Sequence, residues 1–164
     1  MRILYFLSLL IIVLSAVQKG EAWKRSTLYI GADDVLTNLY VNDNEIDLSD
    51  VDDLSTYSIV KKVDLALFPN DEIKIKVINK NPVSIIDNAG LAVKMNYVDQ
   101  NGNEKTFYTN LDDWECNGNK PMNKNIVMGL HYPTWATQEL RNVNVIWAEG
   151  NPKEATCTFV IPKL

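Results

Sequence analysis

Glu72-Ile73-Lys74-Ile75-Lys76-Val77 decides the fold class. Ile73, Ile75 and Val77 fall on one side of an extended chain, with Glu72, Lys74 and Lys76 on the other. Successive side chains of a strand point to opposite faces, so this period of two marks a half-buried antiparallel strand. Working outward, Leu91, Val93, Met95 and Tyr97 alternate with Ala92, Lys94 and Asn96 in the same way. Asn101-Gly102 separates that run from a further one, Lys105 to Tyr108. Asn-Gly between alternating runs predicts a hairpin with a type I′ turn, which needs positive φ at both central residues.

Thr27–Ile30, Leu36–Val41, Tyr57–Val63, Ile126–Met128, Val143–Trp147 and Ala155–Ile161 are the remaining strand candidates. Pro69-Asn70-Asp71, Asn81-Pro82 and Gly150-Asn151-Pro152 separate them as turns. About eight to ten short strands at this spacing predict an all-β chain, a two-sheet antiparallel β-sandwich or jelly roll. The one helical stretch expected is a turn or two around Thr134–Leu140. No internal repeat, linker tract or second domain is visible, so residues 23–164 read as one domain.

The first 22 residues have a different character. Arg2 precedes a nearly uninterrupted apolar stretch from Ile3 to Val17, and Gly20-Glu21-Ala22 puts small residues at −3 and −1. That pattern predicts a secretory signal peptide cleaved before Trp23, with Leu14-Ser15-Ala16 as a weaker site. The apolar run is shorter than the roughly 20 residues that span a bilayer, so no membrane span is expected. Removing 22 residues from 164 leaves 142; Arg2, Lys19 and Glu21 go with them, taking the formal charge from −5 to −6. The expected location is extracellular. In an oxidising compartment Cys116 and Cys157 most simply form one disulfide, the alternatives being two free thiols or an intermolecular bridge. No Asn-x-Ser/Thr sequon occurs.

Charge and residue types exclude several functions. With 16 Lys and Arg against 21 Asp and Glu, the chain lacks the basic face that nucleic acid requires. It has a single histidine, His131, and no Gly-x-Ser-x-Gly or phosphate-binding glycine loop, so no enzyme is expected. Asp47-Leu48-Ser49-Asp50-Val51-Asp52-Asp53 lacks the glycine and terminal glutamate of an EF-hand. With Asp33-Asp34 and Asp112-Asp113 it could still hold a structural calcium ion, although solvated loops are the plainer reading. A glycosidase pair cannot be picked out among so many acids.

Aromatic side chains are the better candidates for chemistry. Trp23, Trp114, Trp135, Trp147, His131 and Tyr132 offer flat faces for a sugar ring, although tryptophan is more often a core residue. Trp147 sits in a buried-strand pattern, Val145-Ile146-Trp147, and reads as structural. Trp114 and Trp135 fall in turn-rich segments and His131-Tyr132-Pro133 beside a proline turn, all places for an exposed ring.

The blocks in order resemble a known family. Ala32-Asp33-Asp34-Val35-Leu36-Thr37-Asn38-Leu39-Tyr40-Val41-Asn42 is similar to the ADD…LYVNG strand of galactose-binding-like jelly-roll modules. Val63–Leu67, Asn70–Asn79, Ala89–Val93, Thr109–Cys116, Val145–Ala148 and Ala155–Cys157 resemble the following blocks, across nearly the whole chain after residue 22. The resemblance implies a galactose-binding-like sandwich and pairs Cys116 with Cys157. The chain departs from the pattern at Asp43, where the family usually has glycine, and in a shortened Pro121–Leu140 region.

These observations lead to one expectation and two rivals. The first is a secreted, non-catalytic carbohydrate-binding, lectin-like module whose ligand meets Trp135, Tyr132, His131, Asp112 and Asn110. The second is an extracellular structural or matrix protein acting through protein contacts or calcium, which the acidity and 18 asparagines favour. A small hydrolase comes third. The expected partner is thus a glycan or an extracellular protein.

Overall fold

A computed structural model describes residues 25–80, 89–99, 101–124, 139–140 and 143–163. The expected signal peptide and the strand expected at Ile126–Met128 lie outside these residues, as does most of the expected helix. The described chain is all-β. Its strands are β1 (Ser26–Asp33), β2 (Val35–Val41), β3 (Asn44–Glu45), β4 (Lys61–Leu65), β5 (Glu72–Ile78) and β6 (Gly90–Val98). Then follow β7 (Glu104–Tyr108), β8 (Trp114–Cys116), β9 (Met122–Asn123), β10 (Ile146–Trp147) and β11 (Glu154–Val160).

Two antiparallel sheets form a sandwich. One runs β4-β1-β6-β10-β9, with β7 also paired to β6; the other runs β3-β2-β5-β11-β8. The chain crosses repeatedly from sheet to sheet: β1 and β4 lie in the first, β2 and β5 in the second, then β6 in the first and β8 in the second. This alternation is the jelly-roll way of closing two sheets over one core. β6 is long enough to pair β7 through Lys94–Val98 while Leu91 meets Ile146 of β10.

Alternation in the sequence becomes alternation in burial. Leu28, Ile30 and Ala32 of β1 and Leu91, Val93, Met95 and Tyr97 of β6 face Ile73, Ile75 and Val77 of β5, all buried in one cluster. Each buried Leu, Ile, Val or Met side chain among them contributes about 1.5–3 kcal/mol on leaving water. Leu36 and Leu39 of β2 are three residues apart yet both buried, because a bulge between Leu36 and Asn38 shifts the register against β5. The Thr37 hydroxyl donates to the Lys76 carbonyl across that bulge, at 3.0 Å.

Three expectations change. The strand expected at Tyr57–Val63 lies at Lys61–Leu65, because 53–59 folds into successive turns, Thr56 N donating to Asp53 O and Ile59 N to Thr56 O. Within Val143–Trp147 only Ile146 and Trp147 enter a ladder. Val143 and Val145 instead join Leu140 and Ala92 in a second, smaller cluster, with Tyr29 and Val60 packed against it. The Asn101-Gly102 hairpin is not a two-residue type I′ turn. Asp99 N donates to Asn103 O and Gly102 N to Asp99 O, so the loop spans three residues with Gly102 at φ 83°.

A two-residue turn of that kind appears elsewhere. Asn42 (φ 51°) and Asp43 (φ 62°) join β2 to β3, both in the left-handed region. The Asn42 side chain donates to Asp71 at 2.6 Å and accepts from Glu72 N at 2.9 Å, tying the turn to the start of β5.

Candidate ligand-binding cleft

The link from β7 to β8 is short and carries two of the expected ligand residues. Asn110 Oδ1 accepts from the backbone N–H groups of Asp112 and Asp113, at 2.8 and 2.7 Å. Its Nδ2 donates to Asp113 Oδ2 at 2.8 Å. Asparagine favours such turns because its short amide mimics a backbone group. Asn110 thereby fixes the Asp113 carboxylate, while Asp112 turns outward to Lys120 at 3.2 Å.

Behind this turn a line of aromatic rings crosses between the sheets. Tyr97 of β6 meets Phe107 of β7 with ring centres 6.0 Å apart, and Phe107 meets Phe159 of β11 at 5.5 Å. Phe159 stacks on Trp114 of β8 at 5.3 Å. These tilted and stacked contacts add to the area they bury. The Trp114 indole N–H donates to Tyr108 O. Trp114 is only 3% exposed, so the sequence expectation of an exposed ring is corrected: a residue opposite Phe159 in the ladder points into the core. Trp147 is fully buried, as expected, and donates to Pro152 O.

The aromatic line ends at a cleft of about 290 Å³ lined by Phe107, Phe159, Val160 and Pro162 together with Thr158, Glu72, Asp113 and Glu115. The volume sits at the small end of ligand pockets. Sheet geometry brings these residues together. Thr158 lies opposite both Lys74 and Glu115, and Val160 lies opposite Glu72. Glu72 is held by Lys74 at 2.8 Å, and Lys74 also pairs with Asp43. Hydrogen bonds from Lys74 to Asp43 and then Glu72 push its ammonium pKa well above the usual value. Three carboxylates thus surround an aromatic wall, and no lining residue is basic. Such a site can stack an apolar face and accept hydrogen bonds from hydroxyl or ammonium groups.

Of the expected ligand residues, Asn110 reaches this cleft through Asp113, which it positions, while Asp112 pairs with Lys120 and is not among the lining residues. Trp135, Tyr132 and His131 lie outside the described residues. Sequence reading missed Phe107, Asp113, Glu115 and Thr158. The pairing of β11 with β8 joins Thr158 to Glu115, the contact of Phe107 with Phe159 crosses the sheets, and Asn110 holds Asp113 beside them; no short motif carries that signal.

The acidic loop behaves differently. Asp47 Oδ1 accepts from Ser49 N, which lowers its pKa, and Asp53 accepts from the Thr56 hydroxyl. These are turn caps. Among the described residues no group of three or more His, Cys, Asp or Glu is placed to hold a metal ion. Nor is any described helix long and apolar enough to cross a membrane.

The disulfide joins Cys116 and Cys157, which face each other across the β8–β11 ladder with Cα atoms 4.0 Å apart. It ties together the two strands that carry Glu115 and Thr158. Compared with protein-family models, curated proteins and solved structures, the chain matches none.

Proposed function

We propose that this protein is a secreted, non-catalytic carbohydrate-binding module of lectin-like type. The observation that carries the reading is the cleft, where the edge of an aromatic line meets Asp113, Glu115 and Thr158. Sugars present an apolar C–H face and a rim of hydroxyls, and a site pairing a ring with fixed acceptors complements both. The ordered resemblance to galactose-binding-like modules supports the same reading, as does the sandwich. The disulfide and the apolar N-terminal stretch support an extracellular setting.

Asn110 serves the site by aiming Asp113, and Trp135, Tyr132 and His131 remain proposed ligand contacts. A glycan array probed with the chain lacking residues 1–22 tests the reading, with Asp113→Ala and Trp135→Ala alongside. We expect binding that falls in one or both variants while their melting temperatures hold. No glycan signal at all would remove the reading. A calcium-dependent rise in melting temperature without glycan binding would turn it toward the matrix alternative.

A further inference from the structure

Resting on that reading, we propose that the cleft selects an amino sugar, a saccharide whose ring carries a protonated amine, over neutral and N-acetylated sugars. Among its polar lining residues, Glu72, Asp113 and Glu115 carry negative charge and Thr158 carries none; the neighbouring Lys74 ammonium is taken up by Glu72 and Asp43, which leaves Asp113 and Glu115 as acceptors for an incoming ammonium group. A protein lectin site for neutral sugar needs donors as well as acceptors, because each hydroxyl both gives and takes hydrogen bonds. Here the lining side chains offer only one hydroxyl donor, on Thr158. An ammonium group gives three hydrogens and takes none, which matches the lining.

The carboxylates are not equivalent. Glu72 is already engaged by Lys74, and Asp113 accepts from Asn110. Glu115 is exposed, stands directly opposite Thr158, and forms no ion pair among the described residues. It is the carboxylate best able to take a new cation. Phe107 supplies the half-buried ring against which the sugar face rests, while Phe159 behind it is buried. A volume of about 290 Å³ suits one ring, so a chain would be gripped at a single unit. The net charge of −6 left once residues 1–22 are removed adds a long-range pull on the same cation.

The test titrates the chain lacking residues 1–22 with a glucosamine trimer, its N-acetylated form, a glucose trimer and a simple diamine. Calorimetry at low and at 0.5 M salt gives the affinities. We expect the glucosamine trimer to bind about tenfold more tightly than the other two sugars, an advantage that shrinks with salt. Glu115→Gln should remove several-fold of that advantage. Equal binding of all three sugars would overturn the inference and leave the carbohydrate reading standing. Binding of the diamine as tightly as of the glucosamine trimer would overturn both, as would no binding of any sugar. An undiminished preference in both Glu115→Gln and Asp113→Asn, with both variants folded, would show that the selectivity arises elsewhere and overturn the inference.

Discussion

Cys116 stands directly opposite Cys157 in the β8–β11 ladder, and two residues along Trp114 stands opposite Phe159. The covalent link and the ring stack thus secure the same edge of the sandwich. The bond spans 41 residues of sequence, and closing a loop of that size restricts the unfolded chain by roughly 4 kcal/mol in the chain-entropy account. A Cys116→Ala/Cys157→Ala variant should lose about that much in urea unfolding. A loss under about 1 kcal/mol would show that the ring stack alone holds β8 in place.

The Asn42-Asp43 turn should respond in opposite directions at its two residues. Asn42→Ala removes bonds to Asp71 and Glu72 and puts alanine at φ 51°, and should cost about 2 kcal/mol. Asp43→Gly relieves a left-handed residue at φ 62° and gives up only an exposed partner of Lys74, so it should stabilise by up to about 1 kcal/mol. Chemical denaturation of both variants checks this, and a destabilised Asp43→Gly protein would show that the Lys74 pair outweighs the turn.

Asp99 makes acid stability readable. The side chain and then the backbone of Asn103 donate to its carboxylate, which lowers its pKa below the usual carboxylate range. A lowered folded pKa stabilises the fold above the unfolded carboxylate value near pH 4, and this contribution fades as pH falls through the lowered value. Melting temperatures between pH 6 and 2 should therefore fall less steeply for Asp99→Asn than for the parent. Superimposable acid limbs would contradict the assignment.

Lys61 is buried to 1% exposure, and its ammonium donates to the carbonyls of Thr56 and Ile59. Burial lowers its pKa, while nearby Asp53 and Asp33 act the other way. Lys61→Met keeps the apolar stem and leaves both carbonyls without their donor, at a cost of about 1–3 kcal/mol. Amide hydrogen exchange in residues 53–60 should speed up in the variant. An equally stable Met variant would mean that water takes over both carbonyls.

The legible part of the fold is the part that packing dictates residue by residue. β5 and β6 could be read directly because each buries a single face over six residues or more. Two- and three-residue strands such as β3, β8 and β9 have no period to read; their partners place them. Lys61 inverts the ordinary rule that lysine faces water, so the turn it holds together looked like strand. The cleft was not legible as a site, since Glu72, Phe107, Glu115 and Phe159 come from four strands on different parts of the chain; Asn110 touches it only through Asp113.

β11 lies at the inside of its sheet, between β5 and β8, although it is the last of the described strands in chain order. Until Glu154–Val160 has been synthesised, β5 lacks one of its neighbours and Cys116 lacks its sulfur partner. Closure of the second sheet must therefore follow emergence of residues 154–160 from the ribosome. During that interval the Ile73–Val77 face and its open strand edge are available to other chains, so expression yield should depend on holding chaperones and oxidant more than on final stability.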